Sequence, residues 1–156
     1  MAQAGQELHG PDGYVLRLVS IEPELLQMEA TYGGTGQFPP RHYHPSQDEH
    51  FEVLEGTLEA RIGGEPRTLG AGDSFDVPAG TPHAMWNPGP GEARALWRTS
   101  PALETEPFFE TMWKLAADGK VGRTVHRVEG NHSLRKGVAD YAASAADWVV
   151  GQLGSG

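Results

Sequence analysis

Residues 36–56, GQFPPRHYHPSQDEHFEVLEG, and residues 72–87, GDSFDVPAGTPHAMWN, decide how this chain reads. From Glu49 onward apolar and polar residues alternate. Glu49, Phe51 and Val53 share one face, and His50, Glu52 and Glu55 include the charges of the other. A period of two with one polar face is a half-buried strand. Glu55-Gly56 supplies a tight turn. TLEARI follows, with Leu58, Ala60 and Ile62 inward and Glu59 and Arg61 outward, so the two segments make a hairpin that ends at Gly63-Gly64.

Working outward, further short strands are expected at 67–69, 74–77, 83–87 and 93–99, each bounded by Gly or Pro (GAG, PAGTP, NPGPG). Upstream, Tyr14–Val19 and Leu25–Tyr32 read as two more strands around the turn Glu22-Pro23-Glu24. Strands at this spacing predict an all-β sandwich or barrel over residues 14–101. Residues 1–13 are polar and Gly-rich and read as a flexible tail. Beyond Pro101 the pattern changes to helical. Thr105-Glu106-Pro107 resembles a helix start, with Phe108, Met112 and Leu115 or Ala116 recurring at helical spacing. A second apolar stripe runs through 133–150. Residues 102–156 therefore read as a helical extension packed on the barrel or on a dimer partner.

Composition narrows the function. The 156 residues suit one domain, and 21 Gly with 12 Pro suit many turns. Twelve Lys and Arg against 21 Asp and Glu give a formal charge of −9. Such a surface repels phosphate backbones and anionic headgroups, so neither nucleic acid nor a membrane is an expected partner. With no cysteine, any metal must sit on His and carboxylate ligands. The absence of a basic segment followed by an apolar run near the start makes a cytoplasmic protein the simplest expectation.

His42 and His44 lie two apart, so on a strand both imidazoles leave the same face. Glu49 follows on the next strand and can close a site from beside them. His83 comes after a Gly-rich turn on a third. Three imidazoles and one carboxylate leave about one or two positions of an octahedral metal open to substrate, water or dioxygen. Interior histidines that hold no metal are the competing reading, but a buried carboxylate without a cationic partner is costly to keep ionised. His50 alternates outward and reads as a surface residue, as do His126 and His132. Asn87 reads as a turn residue rather than a ligand. Phe38, Phe51, Met85 and Trp97 are candidates to line a substrate pocket, although barrel core is the better explanation for most of them.

These residues resemble the cupin superfamily. Its first motif, G(x)5HxH(x)4E(x)6G, is matched by Gly36, His42, His44, Glu49 and Gly56, and its second, G(x)5PxG(x)2H(x)3N, by Gly72, Pro78, Gly80, His83 and Asn87. The resemblance implies a jelly-roll barrel of six to eight strands over roughly residues 14–100, to which the helical pattern beyond it adds one or two C-terminal helices. It implies one divalent metal (Fe, Mn, Ni, Co or Zn) on His42, His44, Glu49 and His83. The expected function is a metal-dependent enzyme acting on a small organic substrate, above all a dioxygenase in which Glu49 is ligand and base. A non-oxidative isomerase, cyclase or decarboxylase is the alternative, and a non-catalytic binding protein a third. A homodimer is expected, because small barrels have edges to cover.

Overall fold

The structure is a computed structural model, and it describes residues 2–10, 13–34 and 41–117. Among these residues nine strands and one helix follow in order: β1 Glu7–His9, β2 Val15–Glu22, β3 Leu25–Tyr32, β4 Asp48–Glu55, β5 Thr57–Ile62, β6 Glu65–Gly70, β7 Ser74–Val77, β8 His83–Trp86, β9 Ala93–Ser100 and α1 Thr105–Ala117. They form a six-stranded sheet in the order β1-β2-β3-β9-β4-β7 and a three-stranded sheet β6-β5-β8. All named pairings are antiparallel. This is the all-β architecture that the strand pattern predicts.

The core follows from alternation. Glu49, Phe51 and Val53 of β4 point inward, as do Ala93, Ala95, Trp97 and Thr99 of β9 and Leu26, Met28 and Ala30 of β3. Register pairs these sets, Phe51 standing opposite Phe75 on one side and Trp97 on the other. The three rings stack, with centroids 5.1 Å (Phe51–Phe75) and 5.7 Å (Phe51–Trp97) apart, which adds to the area they remove from water. Leu58, Ala60 and Ile62 of β5 supply the opposite wall. The β4–β5 turn requires glycine twice over. Gly56 has φ of 75°, and a Cβ there would lie 2.6 Å from the Glu92 carbonyl oxygen.

Two features differ from the sequence reading. Residues 7–9, expected in a loose tail, form β1 on the edge of the large sheet, and Leu8 enters the core. One apolar residue in a polar, Gly-rich segment leaves too little period to read. Helix α1 begins where expected, but Phe109 and Trp113 carry its packing face. Phe109 is buried with its ring against Trp97, while Phe108 is only partly buried. Trp113 meets Tyr14 and sits over Gly10, where a Cβ would come within 2.8 Å of the indole. The proposed second helix at 133–150, together with His126 and His132, lies outside the described residues. So does most of the bend at 35–40, with Gly36 and Phe38. No described helix is long and apolar enough to cross a membrane.

Candidate metal centre

The two histidine-bearing stretches are stitched together through the backbone. His42 and His83 form an isolated antiparallel bridge, the His42 N–H donating to the His83 carbonyl at 3.0 Å and the His83 N–H to the His42 carbonyl at 2.8 Å. The Gly80 N–H donates to the His44 carbonyl at 2.8 Å, and the Ala79 N–H to Asp48 Oδ1 at 2.8 Å. Gly80 takes a positive φ of 80°, which lets the turn fold back before β8. Two distant stretches of the chain thereby enter one side-chain cluster, flanked by β4.

In that cluster one ring nitrogen each from His42, His44 and His83 lies within 4.8 Å of the others. Ring centroids are 5.1 Å (His42–His44), 4.4 Å (His42–His83) and 5.3 Å (His44–His83) apart. Glu49 stands beside them, Oε1 at 3.4 Å from His44 Nε2 and Oε2 at 2.8 Å from His83 Nε2. His44, Glu49 and His83 are all buried, and His42 is half-buried.

Electrostatics distinguishes the members. Burial pulls His44 down to about 4, and the other two imidazoles push the same way, against the attraction of Glu49. His44 is therefore neutral at physiological pH, with a ring lone pair to give. Burial also opposes charge on His83. The Glu49 carboxylate and the Thr81 carbonyl outweigh it and hold the group above the ordinary histidine range. Burial favours a neutral Glu49, but contact with His83 and the nearby His44 and His42 keeps the carboxyl below its usual range.

These donors fit a cation. His83 Nδ1 lies 2.9 Å from the Thr81 carbonyl oxygen. That acceptor fixes the proton on Nδ1 and turns the Nε2 lone pair inward, the arrangement a metal-bound histidine uses. Facing it is Glu49 Oε2, buried and with no hydrogen-bond donor aligned on it. Two lone-pair atoms 2.8 Å apart in a dry site call for a positive charge between or beside them, a proton or a metal ion.

Comparison with known proteins agrees with the fold. Residues 29–98 match the family model described as "Cupin domain". They form a cupin domain. Among curated relatives, quercetin 2,3-dioxygenase of Bacillus subtilis is 39% identical over 61 residues, 39% of this chain and 18% of that protein. Dimethylsulfoniopropionate lyase DddQ of Ruegeria pomeroyi is 40% identical over 88 residues, 55% of this chain and 42% of that protein. The chain thus spans less than half the length of either relative. The solved structure of KdgF from Halomonas sp. superposes with a TM-score of 0.58 at 24% identity, covering 64% of this chain and 89% of the other, and speaks for the fold alone.

Within the cupin barrel the pocket candidates take different places. Phe51 and Trp97 are both core residues, but Trp97 also reaches the site, its indole N–H donating to Glu49 Oε1 at 2.9 Å. Met85 is partly buried against the core. His50 faces outward and bonds Asp76 at 2.7 Å. Asn87 holds the 87–91 turn, its Nδ2 donating to the Tyr32 and Gly91 carbonyls and its Oδ1 accepting from the Gly89 N–H. Sequence reading passes over two other groups. Gln47 Nε2 lies within 3.0 Å of the Pro101 and Ala102 carbonyls and Thr105 Oγ1, tying the loop before β4 to the start of α1. Tyr14 and Tyr32 pack edge to face at 4.9 Å. Burial raises both phenols, with the field of Glu49 adding to it. Neither group follows a local motif, so only the folded chain brings them forward.

Proposed function

We propose that this cupin is a metal-dependent enzyme acting on a small organic molecule, and that its reaction is the oxygenation of an enol or phenol. The observation that carries the reading is the buried pairing of Glu49 with His83 and His44 beside His42. His42, His44 and His83 would hold one divalent ion, with Glu49 Oε2 as the fourth donor. Bound there, a redox-active metal supplies Lewis acidity and a path for electrons between substrate and dioxygen.

The chain's own residues provide the rest. Glu49 is anionic, buried and within reach of the cluster, so it can take the proton of an enol or phenol that enters beside it. Trp97 and the Phe51 stack form an apolar wall next to the carboxylate, which keeps water from competing for that proton. The Thr81 carbonyl accepts the His83 Nδ1–H and so keeps the ring oriented with Nε2 toward the cluster. The likeness to quercetin 2,3-dioxygenase supports an oxygenated, enolic substrate. The test is oxygen uptake with flavonols, dihydroxyaromatics and enediols after loading iron, manganese, nickel or cobalt. Uptake with at least one pair is expected, and none with any pair contradicts the reading.

The likeness to a lyase favours a second reading, in which the same base acts on an acidic C–H without dioxygen. Turnover by zinc-loaded protein under anaerobic conditions separates the two. Homodimerisation belongs to the proposal as well, and light scattering giving twice the 16.8 kDa chain mass would support it.

A further inference from the structure

We infer that Trp97 is a positioning residue for Glu49, and that α1 is the clamp behind it. The inference rests on the metal reading above for its consequence, but not for its geometry. Glu49 has two carboxylate oxygens in a dry site. Oε1 accepts the Trp97 indole N–H at 2.9 Å, whereas Oε2 faces His83 Nε2 at 2.8 Å. The indole thus occupies one oxygen and leaves the other aimed at the histidine cluster. A carboxylate pinned in this way offers one donor atom rather than two, and its plane cannot swing.

Trp97 is itself held between two aromatic side chains. Phe51 stacks on it at 5.7 Å with the planes 15° apart, and Phe109 of α1 meets it edge to face at 5.8 Å. Phe109 is in turn packed on Trp113 at 5.0 Å, and Trp113 on Tyr14 at 5.5 Å. The start of α1 is fastened separately, through Gln47 to Thr105 Oγ1 and to the two preceding carbonyls. A side chain that served only to fill the core would not need its one polar atom placed on the site's carboxylate. Phenylalanine would fill the same stack and leave Oε1 without a donor. The helix therefore belongs to the site mechanically, although it contributes no atom to the cluster.

Two measurements test this. In metal-free protein the four tryptophans give four indole N–H resonances. One of them should lie downfield and exchange slowly with solvent, disappear in Trp97→Phe, and move upfield in Glu49→Gln. If no resonance responds to Glu49→Gln, the hydrogen bond is absent and the inference falls, whatever the metal does. The second measurement is Co2+ affinity and visible absorption. Trp97→Phe keeps the ring stack and removes the N–H; it should weaken Co2+ binding about 10- to 100-fold and alter the absorption bands, while Phe51→Leu lowers the melting temperature but keeps affinity within about threefold. Wild-type affinity and spectrum in Trp97→Phe, or an equal loss in Phe51→Leu, would reduce Trp97 to a packing residue. Should wild-type protein bind no Co2+ while the indole signal behaves as described, the metal reading fails and the positioning of Glu49 stands.

Discussion

Glu49 and His50 are neighbours on β4, yet they belong to different worlds. The inner face of the strand places Glu49 in a dry cluster with His44, His83 and the Trp97 indole. The outer face pairs His50 with Asp76 and continues into a ladder where Arg94 bridges Glu29 and Glu55 and Arg17 bridges Glu29. Both faces are rich in charge. On the outside Glu29 and Glu55 meet arginines that reach solvent, where an ion pair is screened and contributes little. On the inside one buried carboxylate faces buried imidazoles. The difference teaches that the density of charge does not mark a site in this chain. What marks it is charge that burial makes costly and that only a further cation would fully satisfy.

The contrast can be broken most severely from the inside. Replacing His44 or His83 by Ala should lower metal affinity by more than about 100-fold, since even an outer hydrogen-bond partner of a ligand is worth about 10- to 100-fold. Competition with a metal indicator reads this directly. Phe51→Ala removes the middle ring of the stack and should cost about 3–5 kcal/mol in denaturant unfolding. The inner face is thereby tested for packing as well as for binding.

Protonation sharpens the same comparison. His44 titrates at about 4 and so is already neutral at pH 6, whereas His83 is held above 6.5 by Glu49 and Thr81. A metal must displace the His83 proton, so affinity should rise as pH climbs through the His83 range, with one proton released per ion and none from His44. The sign for folding of the metal-free protein is opposite for the two groups. His83, raised, stabilises the fold fully below pH 6.5 and loses that contribution as pH rises through its folded value. His44, lowered, stabilises above 6.5 and loses that contribution as pH falls toward 4. The two act in separate windows, so His44→Gln should flatten the rise in melting temperature between pH 4 and 6.5 and leave the His83 fall above 6.5 unchanged. Smallest of all, Glu29→Gln on the outer face should shift the melting temperature by no more than about 3 °C, and less at high salt.

Much of this contrast was legible before the fold was known. The period of two from Glu49 to Val53 assigns Glu49 inward and His50 outward, and the structure keeps both assignments. The His-x-His pair and the glycine turn before His83 also announce a cluster, because strand geometry leaves two imidazoles little else to share. What could not be read is contact between distant segments without a local pattern. The Trp97 bond to Glu49 spans 48 positions, and a tryptophan in an alternating strand reads as core whether or not its N–H has a partner. The helix suffered in the same way. Its apolar residues are dense enough for several stripes, and the choice of Phe109 and Trp113 was made by the rings waiting on the barrel, Trp97 and Tyr14. Strand β1 was hidden for the opposite reason, having a single core residue, Leu8.

The central claim is that the inner-face cluster of His42, His44, His83 and Glu49 holds one divalent metal ion. Elemental analysis is its most direct test, made on protein purified without chelators and again after reloading, with His44→Ala alongside. About one ion per chain is expected in the wild type and a small fraction of that in the variant. A wild-type chain that carries no stoichiometric metal in either preparation would contradict the account.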